Sequence, residues 1–268
     1  MTLVLNEIHM LDGLRKTFIV AAADRRVSKS NGTYDSTRRK LFPIPYLNGA
    51  VSYFGLASVY PRGQRQYLSE WLPSFIRGQS SAGTLQSFAQ YLTESLNIAM
   101  PSSMLKNHAS GFHICGYDRD GWPDFWYVSN IGEMTGFQHT NLSGRYFPPE
   151  SHFLDRDASK VHGWDRSNPL SAKNGVQIYR NGDYRAHVAA WDLLDEIYGR
   201  LTKFPDFRIP SSTEEYAKYV KFKFEFIAYL YKEWARQRII ARPIDVLVLQ
   251  NPTAKPAGSS RPAKSTGG

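Results

Sequence analysis

The amino terminus of this 268-residue chain holds its simplest candidate for nucleophilic chemistry, a threonine directly after the initiator methionine. Methionine is ordinarily removed before a small residue, and its removal would leave Thr2 with a free α-amine. A threonine hydroxyl is a poor nucleophile at its free pKa, whereas an α-amine with an unperturbed pKa of roughly 7.7–8.0 can act as its base. Thr2 would thus combine a nucleophile and a general base, able to attack a carbonyl carbon without any histidine.

Motifs of the commoner enzyme classes are missing from the chain. It lacks the GxGxxG and Walker A patterns of nucleotide sites, the HExxH helix of metalloproteases and the GxSxG turn of serine hydrolases. The lone Cys115 falls in a predicted core strand, and we interpret it as a buried, inert thiol. Several histidines and aspartates match no metal-binding spacing and are interpreted as polar loop residues: His139, His152, Asp155, Asp157, His162 and Asp165. We therefore expect no cofactor and no metal.

The net charge of +9, from 33 lysines and arginines against 24 acids, raises the question of nucleic-acid binding. The last eighteen residues contain three basic residues and no acid, which leaves +6 on the rest of the chain. Only residues 38–40 form a tight basic run, and no zinc-finger, RNP or recognition-helix pattern accompanies it. A solvated basic surface is the simpler interpretation, so we expect no specific nucleic-acid partner, although a basic binding module remains a third hypothesis.

The composition favours a globular protein that does not enter membranes. Hydrophobic residues make up 42% of the chain and aromatic residues 14%, which is enough for a substantial core. No apolar run approaches the roughly 20 residues of a membrane helix. Asn6 and Glu7 interrupt the amino-terminal stretch where a signal peptide would stay apolar. Together with the single cysteine, these features predict a cytoplasmic protein.

The elements that must position Thr2 follow the order ββββ, αα, ββ, insertion, αα, β. Apolar alternation and apolar runs predict the strands, and apolar residues at three- and four-residue spacing predict the helices. Thr84 and Ser212 are predicted helix N-caps, the latter in a capping box with Glu215. The predicted strands span residues 2–8, 17–23, 40–44, 50–56, 176–179 and 244–249, with a hairpin at 110–128, and the predicted helices span residues 65–76, 84–99, 187–201 and 212–236.

This order favours an α+β fold, a four-layer α-β-β-α sandwich of two mostly antiparallel sheets under outer helices. We predict one domain over residues 1–250. Residues 144–183 collect prolines and Asn-Gly pairs and are interpreted as an insertion, whereas residues 251–268 are interpreted as a disordered basic tail.

Two segments carry a family resemblance. AAADRRVSKSNGTYDSTRRKLFPI (residues 21–44), preceded by a strand that starts at Thr2 and followed by NGAVSYFGLAS (residues 48–58), resembles the amino-terminal part of proteasome β subunits. It is also similar to the bacterial proteasome-like peptidase that pairs with an unfoldase ATPase. The sixteen-residue step from Asp24 to Lys40 matches the family spacing, whereas Gly55 falls slightly later than that spacing would place it. The resemblance covers residues 2–130, and residues 185–250 only by their helix-helix-strand order.

The resemblance implies an N-terminal-nucleophile hydrolase, a threonine peptidase that cleaves polypeptides. Lys40 would stabilise the Thr2 alkoxide and lower the pKa of the α-amine, and Asp24 would hold Lys40 in place. Arg26 would position the site, and the Gly55 N–H would bind the oxyanion. Ser143, in the segment Leu142-Ser143-Gly144, would contact the terminal amine. Homo-oligomeric rings and an unfoldase ATPase partner are further implications of the resemblance.

Two positions depart from the family and support an alternative function. Gln237 and Ile240 stand where the family has an aspartate and a serine that orient the nucleophile, and neither can substitute chemically. The alternative is therefore a catalytically inactive ring subunit with the same fold. Each site residue also has an ordinary structural interpretation, as a strand-end ion pair for Asp24 and Arg26 or as a bulge glycine for Gly55.

Overall fold

The computed structural model describes residues 2–10, 16–28, 32–131, 138–146, 175–183, 186 and 190–252. Within these ranges the chain is an α+β protein. Its elements, in chain order, are β1 (Leu3–Met10), β2 (Thr17–Asp24), β3 (Val27–Ser28), β4 (Tyr34–Asp35), β5 (Leu41–Ile44), β6 (Gly49–Phe54), β7 (Ser58–Val59), β8 (Gln66–Tyr67), α1 (Leu68–Gly78), α2 (Leu85–Ala99), α3 (Ser102–Asn107), β9 (Gly111–Tyr117), β10 (Pro123–Ile131), β11 (Gln138–Tyr146), β12 (Gly175–Gly182), α4 (Asp192–Leu201), α5 (Thr213–Glu233) and β13 (Ile244–Gln250).

The strands form two larger sheets in which every neighbouring pair is antiparallel. The first sheet has the order β12-β1-β2-β13, and the second has the order β11-β10-β9-β6-β5. Two short hairpins, β3-β4 and β7-β8, stand apart from them. The prediction of two mostly antiparallel sheets is therefore confirmed for the described part of the chain.

Both faces of the first sheet are covered, which explains why every residue of β1 and β2 is buried. Even-numbered β1 residues such as Val4 and Ile8 pack in a cluster that also contains Ala50 and Phe125 of the second sheet. Odd-numbered residues such as Leu3 pack instead with apolar side chains of α5. A strand covered in this way needs a continuous apolar run, and TFIVAAA in β2 supplies one.

A third cluster joins the outer face of the second sheet to α1 and α2. The helical side chains follow the spacing read from the sequence, with Leu85, Phe88, Leu92 and Leu96 all buried. Thr84 is the N-cap of α2 and accepts a hydrogen bond from the Ser87 amide, which confirms the predicted start of this helix. None of the described helices combines the length and the apolar composition needed to cross a bilayer.

The predicted insertion at residues 144–183 has sheet strands at both described ends. β11 ends at Tyr146, and β12 pairs with β1 along its whole length, from Leu3 opposite Gly182 to Met10 opposite Gly175. The short strand predicted at 176–179 is thus longer than expected and belongs to the first sheet. Residues 147–174 of this segment, and residues 253–268 of the predicted tail, lie outside the described residues.

Candidate active site

The ends of several strands meet at one end of the two sheets and bring the predicted site residues together. Thr2 lies immediately before β1, and Asp24 closes β2, which runs antiparallel to β1 with Val4 opposite Ala23. Lys40 directly precedes β5 of the second sheet. Residues separated by up to 38 positions in the chain therefore share one buried cluster.

The Asp24 carboxylate is the centre of this cluster and is completely buried. Its Oδ1 accepts hydrogen bonds from the Thr2 hydroxyl at 2.5 Å and from the Leu3 amide at 2.8 Å. Its Oδ2 accepts one from the Arg26 amide at 2.9 Å. A buried carboxylate with this many donors is held in one orientation, as the predicted role of Asp24 requires.

The Lys40 ammonium reaches the Thr2 hydroxyl from the side of the second sheet. Its Nζ donates to Thr2 Oγ1 and to the carbonyl oxygen of Arg26, and it lies 3.3 Å from Asp24 Oδ1. Burial of this ammonium lowers the pKa of Lys40 below the usual lysine range, while the Asp24 charge opposes that shift. A cation that donates to the hydroxyl oxygen would stabilise an alkoxide formed there.

Arg26 supports the site from its edge through neutral partners. Its Nε donates to Ser36 Oγ at 3.3 Å, and its Nη1 donates to the carbonyl oxygen of Arg238 at 2.5 Å. Its guanidinium carbon lies 4.8 Å from the centroid of the Tyr34 ring. Arg26 thereby ties β2 to the segment that precedes β13.

A cleft of about 600 Å³ opens beside the cluster, and Thr2, Lys40 and Arg26 all contribute to its lining. Gly55 lies in the same lining, directly after β6, with a φ of +85°. A Cβ at this position would lie 2.0 Å from the Ala109 carbonyl oxygen, so only glycine fits. Five of the six predicted site residues, Thr2, Asp24, Arg26, Lys40 and Gly55, therefore surround one cleft or the cluster behind it.

The sixth predicted site residue, Ser143, is exposed on β11, opposite Ser129 of β10. It is not among the described residues that line the cleft. Its contact with the terminal amine stays a prediction.

Another segment lies against Thr2 instead. The Asp183 amide donates to the Thr2 carbonyl oxygen at 2.9 Å, and a Cβ on Gly182 would lie only 1.7 Å from that oxygen. Sequence reasoning missed this role because Asn181-Gly182 was interpreted as a turn in the insertion. An Asn-Gly pair at the end of a strand was the one signal in the sequence for this close packing of Gly182 against Thr2.

Asn181 links the cleft to a buried polar network between the two sheets. Its Nδ2 lies 2.8 Å from His113 Nε2, and His113 Nδ1 lies 2.7 Å from Asn6 Oδ1. The Asn6 amide in turn donates to Cys115 Sγ at 3.0 Å. A neutral His113 ring with its proton on Nδ1 satisfies both contacts, and it fixes Asn181 at the cleft wall.

The two departures from the family are placed away from the cleft. Ile240 is fully buried in the cluster beneath α5, and Gln237 is exposed. In the segment before β13, the Arg238 carbonyl oxygen accepts a hydrogen bond from Arg26.

No group of three or more His, Cys, Asp or Glu side chains within the described ranges could hold a metal ion. The histidines and aspartates weighed for a metal site from the sequence belong to segments whose side chains lie outside the described residues.

Comparisons with known proteins return structural likenesses only. No protein-family model matches the chain, and no curated protein matches it. Among solved structures, Anbu (ancestral beta-subunit) from Yersinia bercovieri is similar at 8% identity and a TM-score of 0.46, covering 92% of this chain and 81% of that chain. A helical assembly of the Anbu complex from Pseudomonas aeruginosa gives 13% identity and a TM-score of 0.47, covering 93% and 81% of the two chains. Anbu from Hyphomicrobium sp. strain MC1 is similar at 12% identity and a TM-score of 0.41, covering 93% of this chain and 82% of that chain.

Proposed function

We propose that this chain is a proteasome-like threonine peptidase that hydrolyses peptide bonds with Thr2 as its nucleophile. The single observation that carries the proposal is the position of the Thr2 hydroxyl, which contacts both Lys40 Nζ and Asp24 Oδ1 at the edge of an open cleft. A buried ammonium and a buried carboxylate that converge on one threonine hydroxyl suit a hydroxyl that must become an alkoxide.

The proposed reaction uses groups of this chain alone. After loss of Met1, the Thr2 α-amine accepts the hydroxyl proton while Oγ1 bonds to the carbonyl carbon of the substrate. Lys40 offsets the negative charge on Oγ1, and the Gly55 N–H donates to the oxyanion of the tetrahedral intermediate. The protonated α-amine then gives its proton to the leaving amine as the peptide C–N bond breaks. Water hydrolyses the resulting ester by the reverse proton transfers and regenerates Thr2.

The proposal extends to architecture and assembly. The three core clusters support a four-layer α-β-β-α sandwich, in which residues 1–250 form one domain with an insertion. We extend the proposal to a ring of copies of this chain. Association is supported by three large aromatic side chains of α5 and its C-terminal end that are exposed by half or more: Phe222 at 52%, Tyr229 at 50% and Trp234 at 70%. Such a ring would work in the cytoplasm and receive unfolded polypeptides from an unfoldase ATPase.

Intact-mass spectrometry before and after incubation with an epoxyketone tests the proposal, because this warhead reacts with both the hydroxyl and the amine of a terminal threonine. We expect loss of Met1 and a single adduct that Thr2→Ala abolishes. Thr93→Ala is the matched control, since the Thr93 hydroxyl bonds only to the carbonyl oxygen of Ala89 within α2. A chain without Met1 that forms no adduct, or whose Thr2→Ala variant still forms one, would contradict the proposal.

The second candidate is a catalytically inactive ring subunit of the same fold. The placement of Gln237 and Ile240 favours it, because neither side chain lines the cleft where an orienting group is expected. Loss of Met1 without an adduct, in a protein that assembles into rings by mass photometry, would support this candidate over a peptidase.

A further inference from the structure

The charged side chains that line the cleft beside Thr2 are all basic. Arg26 and Arg65 belong to the lining together with Lys40, which is paired with the buried Asp24, and none of the described lining residues is an aspartate or a glutamate. The chain contains 24 aspartates and glutamates, so a low number of acidic residues does not explain their absence from the described lining of the cleft. A cleft that presents one sign of charge concentrates ligands of the opposite sign.

Arg65 is held at this cleft by neutral groups. Its Nε donates to Ser58 Oγ at 3.3 Å, and its guanidinium carbon lies 5.4 Å from the centroid of the Tyr67 ring. Ser58 is only 6% exposed, so the anchoring hydroxyl belongs to the folded core. Within the described ranges Arg65 has no carboxylate at ion-pair distance, and most of its five N–H donors remain available to a ligand.

Arginines just outside the cleft are neutralised differently. Arg25 forms a two-point ion pair with Asp245, with Nε 2.8 Å from Oδ2. Arg38 stacks on the Tyr67 ring at 3.7 Å from its centroid and pairs with both Asp35 and Glu70. The same ring therefore supports one arginine satisfied by acids of the chain and another, Arg65, whose charge faces the cleft unneutralised.

Apolar side chains form the rest of the ligand surface. Phe54, Leu56, Met104 and Ile131 line the same cleft. Methionine adapts to apolar side chains of differing shape, whereas a guanidinium prefers the planar, two-oxygen geometry of a carboxylate. The combination fits a peptide with an acidic side chain next to a large apolar one.

We propose that this cleft binds peptides carrying a glutamate or aspartate beside a large apolar residue, and that Arg65 selects the acidic side chain. This inference rests on the proposed function, since it assigns a substrate class to the same cleft. It makes Arg65 a specificity-determining residue that takes no part in bond cleavage.

Fluorescence anisotropy with labelled peptides tests the inference without requiring turnover. The peptides are identical except at one position beside a leucine, which is Glu, Gln or Lys, and the protein is the full chain carrying Thr2→Ala. We expect the Glu peptide to bind about tenfold more tightly than the Gln peptide, with the Lys peptide weakest. The preference should weaken as salt is raised. Arg65→Gln should remove it, whereas Arg77→Gln, an exposed arginine of α1 whose Nη2 bonds to Ser74, should retain it.

The two proposals fail in different ways. Equal affinity for the three peptides, absence of binding, or a Glu preference that survives Arg65→Gln would overturn the inference. None of these results would affect the proposed function, which an epoxyketone adduct on Thr2 would still support. A Glu preference lost in Arg65→Gln, in a protein whose Thr2 forms no adduct, would uphold the acidic-peptide site and contradict the peptidase.

Discussion

The Nε2 atom of His113, in the second sheet, lies 2.8 Å from the side-chain nitrogen of Asn181, which belongs to the first sheet and lines the cleft with Thr2. His113 is fully buried, and its other ring nitrogen contacts Asn6 of the first sheet at 2.7 Å. One imidazole thus connects two strands of the first sheet, β1 and β12, from the opposite sheet. The cleft wall depends on a polar contact inside the core.

Replacing His113 with leucine should destabilise the protein, because it removes a partner from two buried amides, those of Asn6 and Asn181. Loss of a partner for a buried polar group costs about 1–3 kcal/mol. Urea unfolding should report a decrease of this size or larger in the free energy of unfolding. His108→Leu, at an exposed position, is the control and should change it little. Equal effects of the two variants would show that the network is not stabilising.

Lys40→Met should slow epoxyketone adduct formation at Thr2 by roughly a hundredfold or more, because it removes the donor that stabilises negative charge on Thr2 Oγ1, and loss of one preorganised donor to developing charge costs about that much. Methionine is similar in length but cannot donate to Thr2 Oγ1. The rate of adduct formation by mass spectrometry is the measurement, and thermal unfolding checks that the variant is folded. Lys106→Met, at an exposed residue of α3, is the control and should form the adduct at the same rate as the protein without substitutions. An unchanged rate in Lys40→Met would remove Lys40 from the site.

Gly182→Ala should be strongly destabilising, because its Cβ would lie 1.7 Å from the Thr2 carbonyl oxygen. The φ of Gly182 is +116°, and left-handed backbone alone costs a non-glycine residue roughly 1–2 kcal/mol. Gly63→Ala isolates that contribution, since Gly63 has a φ of +78° and nothing within 4 Å of an added Cβ. We expect Gly182→Ala to cost roughly 1–3 kcal/mol more than Gly63→Ala in chemical unfolding. Similar costs would mean that the strand end moves freely away from Thr2.

Acid should destabilise the protein through Glu7, a residue of β1 buried beneath α5. Burial alone would raise the pKa of Glu7, but the Lys223 ammonium 3.3 Å away, together with His9, holds it at about 2. Because this folded-state pKa is below the usual value of about 4.3, the stabilisation is complete above that value. It is lost as the pH falls from about 4.3 to about 2, and its upper bound is about 3 kcal/mol.

Urea unfolding between pH 2 and pH 7 measures this dependence. Glu7→Gln should flatten the acid limb of the curve, whereas Glu94→Gln, at an exposed residue of α2, should leave it unchanged. Lys223 also contacts Asp195 at 3.0 Å, so its ammonium keeps a carboxylate partner in Glu7→Gln. An unaltered acid limb in that variant would place the sensitivity elsewhere.

Local patterns in the sequence were sufficient to predict much of the secondary structure. The predicted strand at 17–23 is β2, one residue longer, and the predicted helix at 212–236 is α5, three residues shorter at its C-terminal end. Ser212 caps that helix as predicted, although Glu215 accepts from Ser211 at 2.8 Å instead of completing the capping box with Ser212. β11 and α3 escaped prediction because neither presents a clear apolar period.

Contacts between distant parts of the chain could not be read from the sequence. Pairing of β12 with β1 joins residues that are 165 to 179 positions apart, and no local pattern encodes it. Asp24 and Lys40 were found only because a family resemblance supplied their spacing. Asn181, Gly182 and Asp183 had no such guide, so their approach to Thr2 became visible only in the fold.

The lone cysteine of the chain lies between the two sheets, and its position makes it a reporter of structural opening. Burial raises the pKa of the Cys115 thiol to about 12, and Asn6 donates to its sulfur. Since alkylation requires an exposed thiolate, labelling of Cys115 at neutral pH proceeds only through openings of the structure that expose it. The unmodified protein therefore carries its own chemical probe for the opening of its interior.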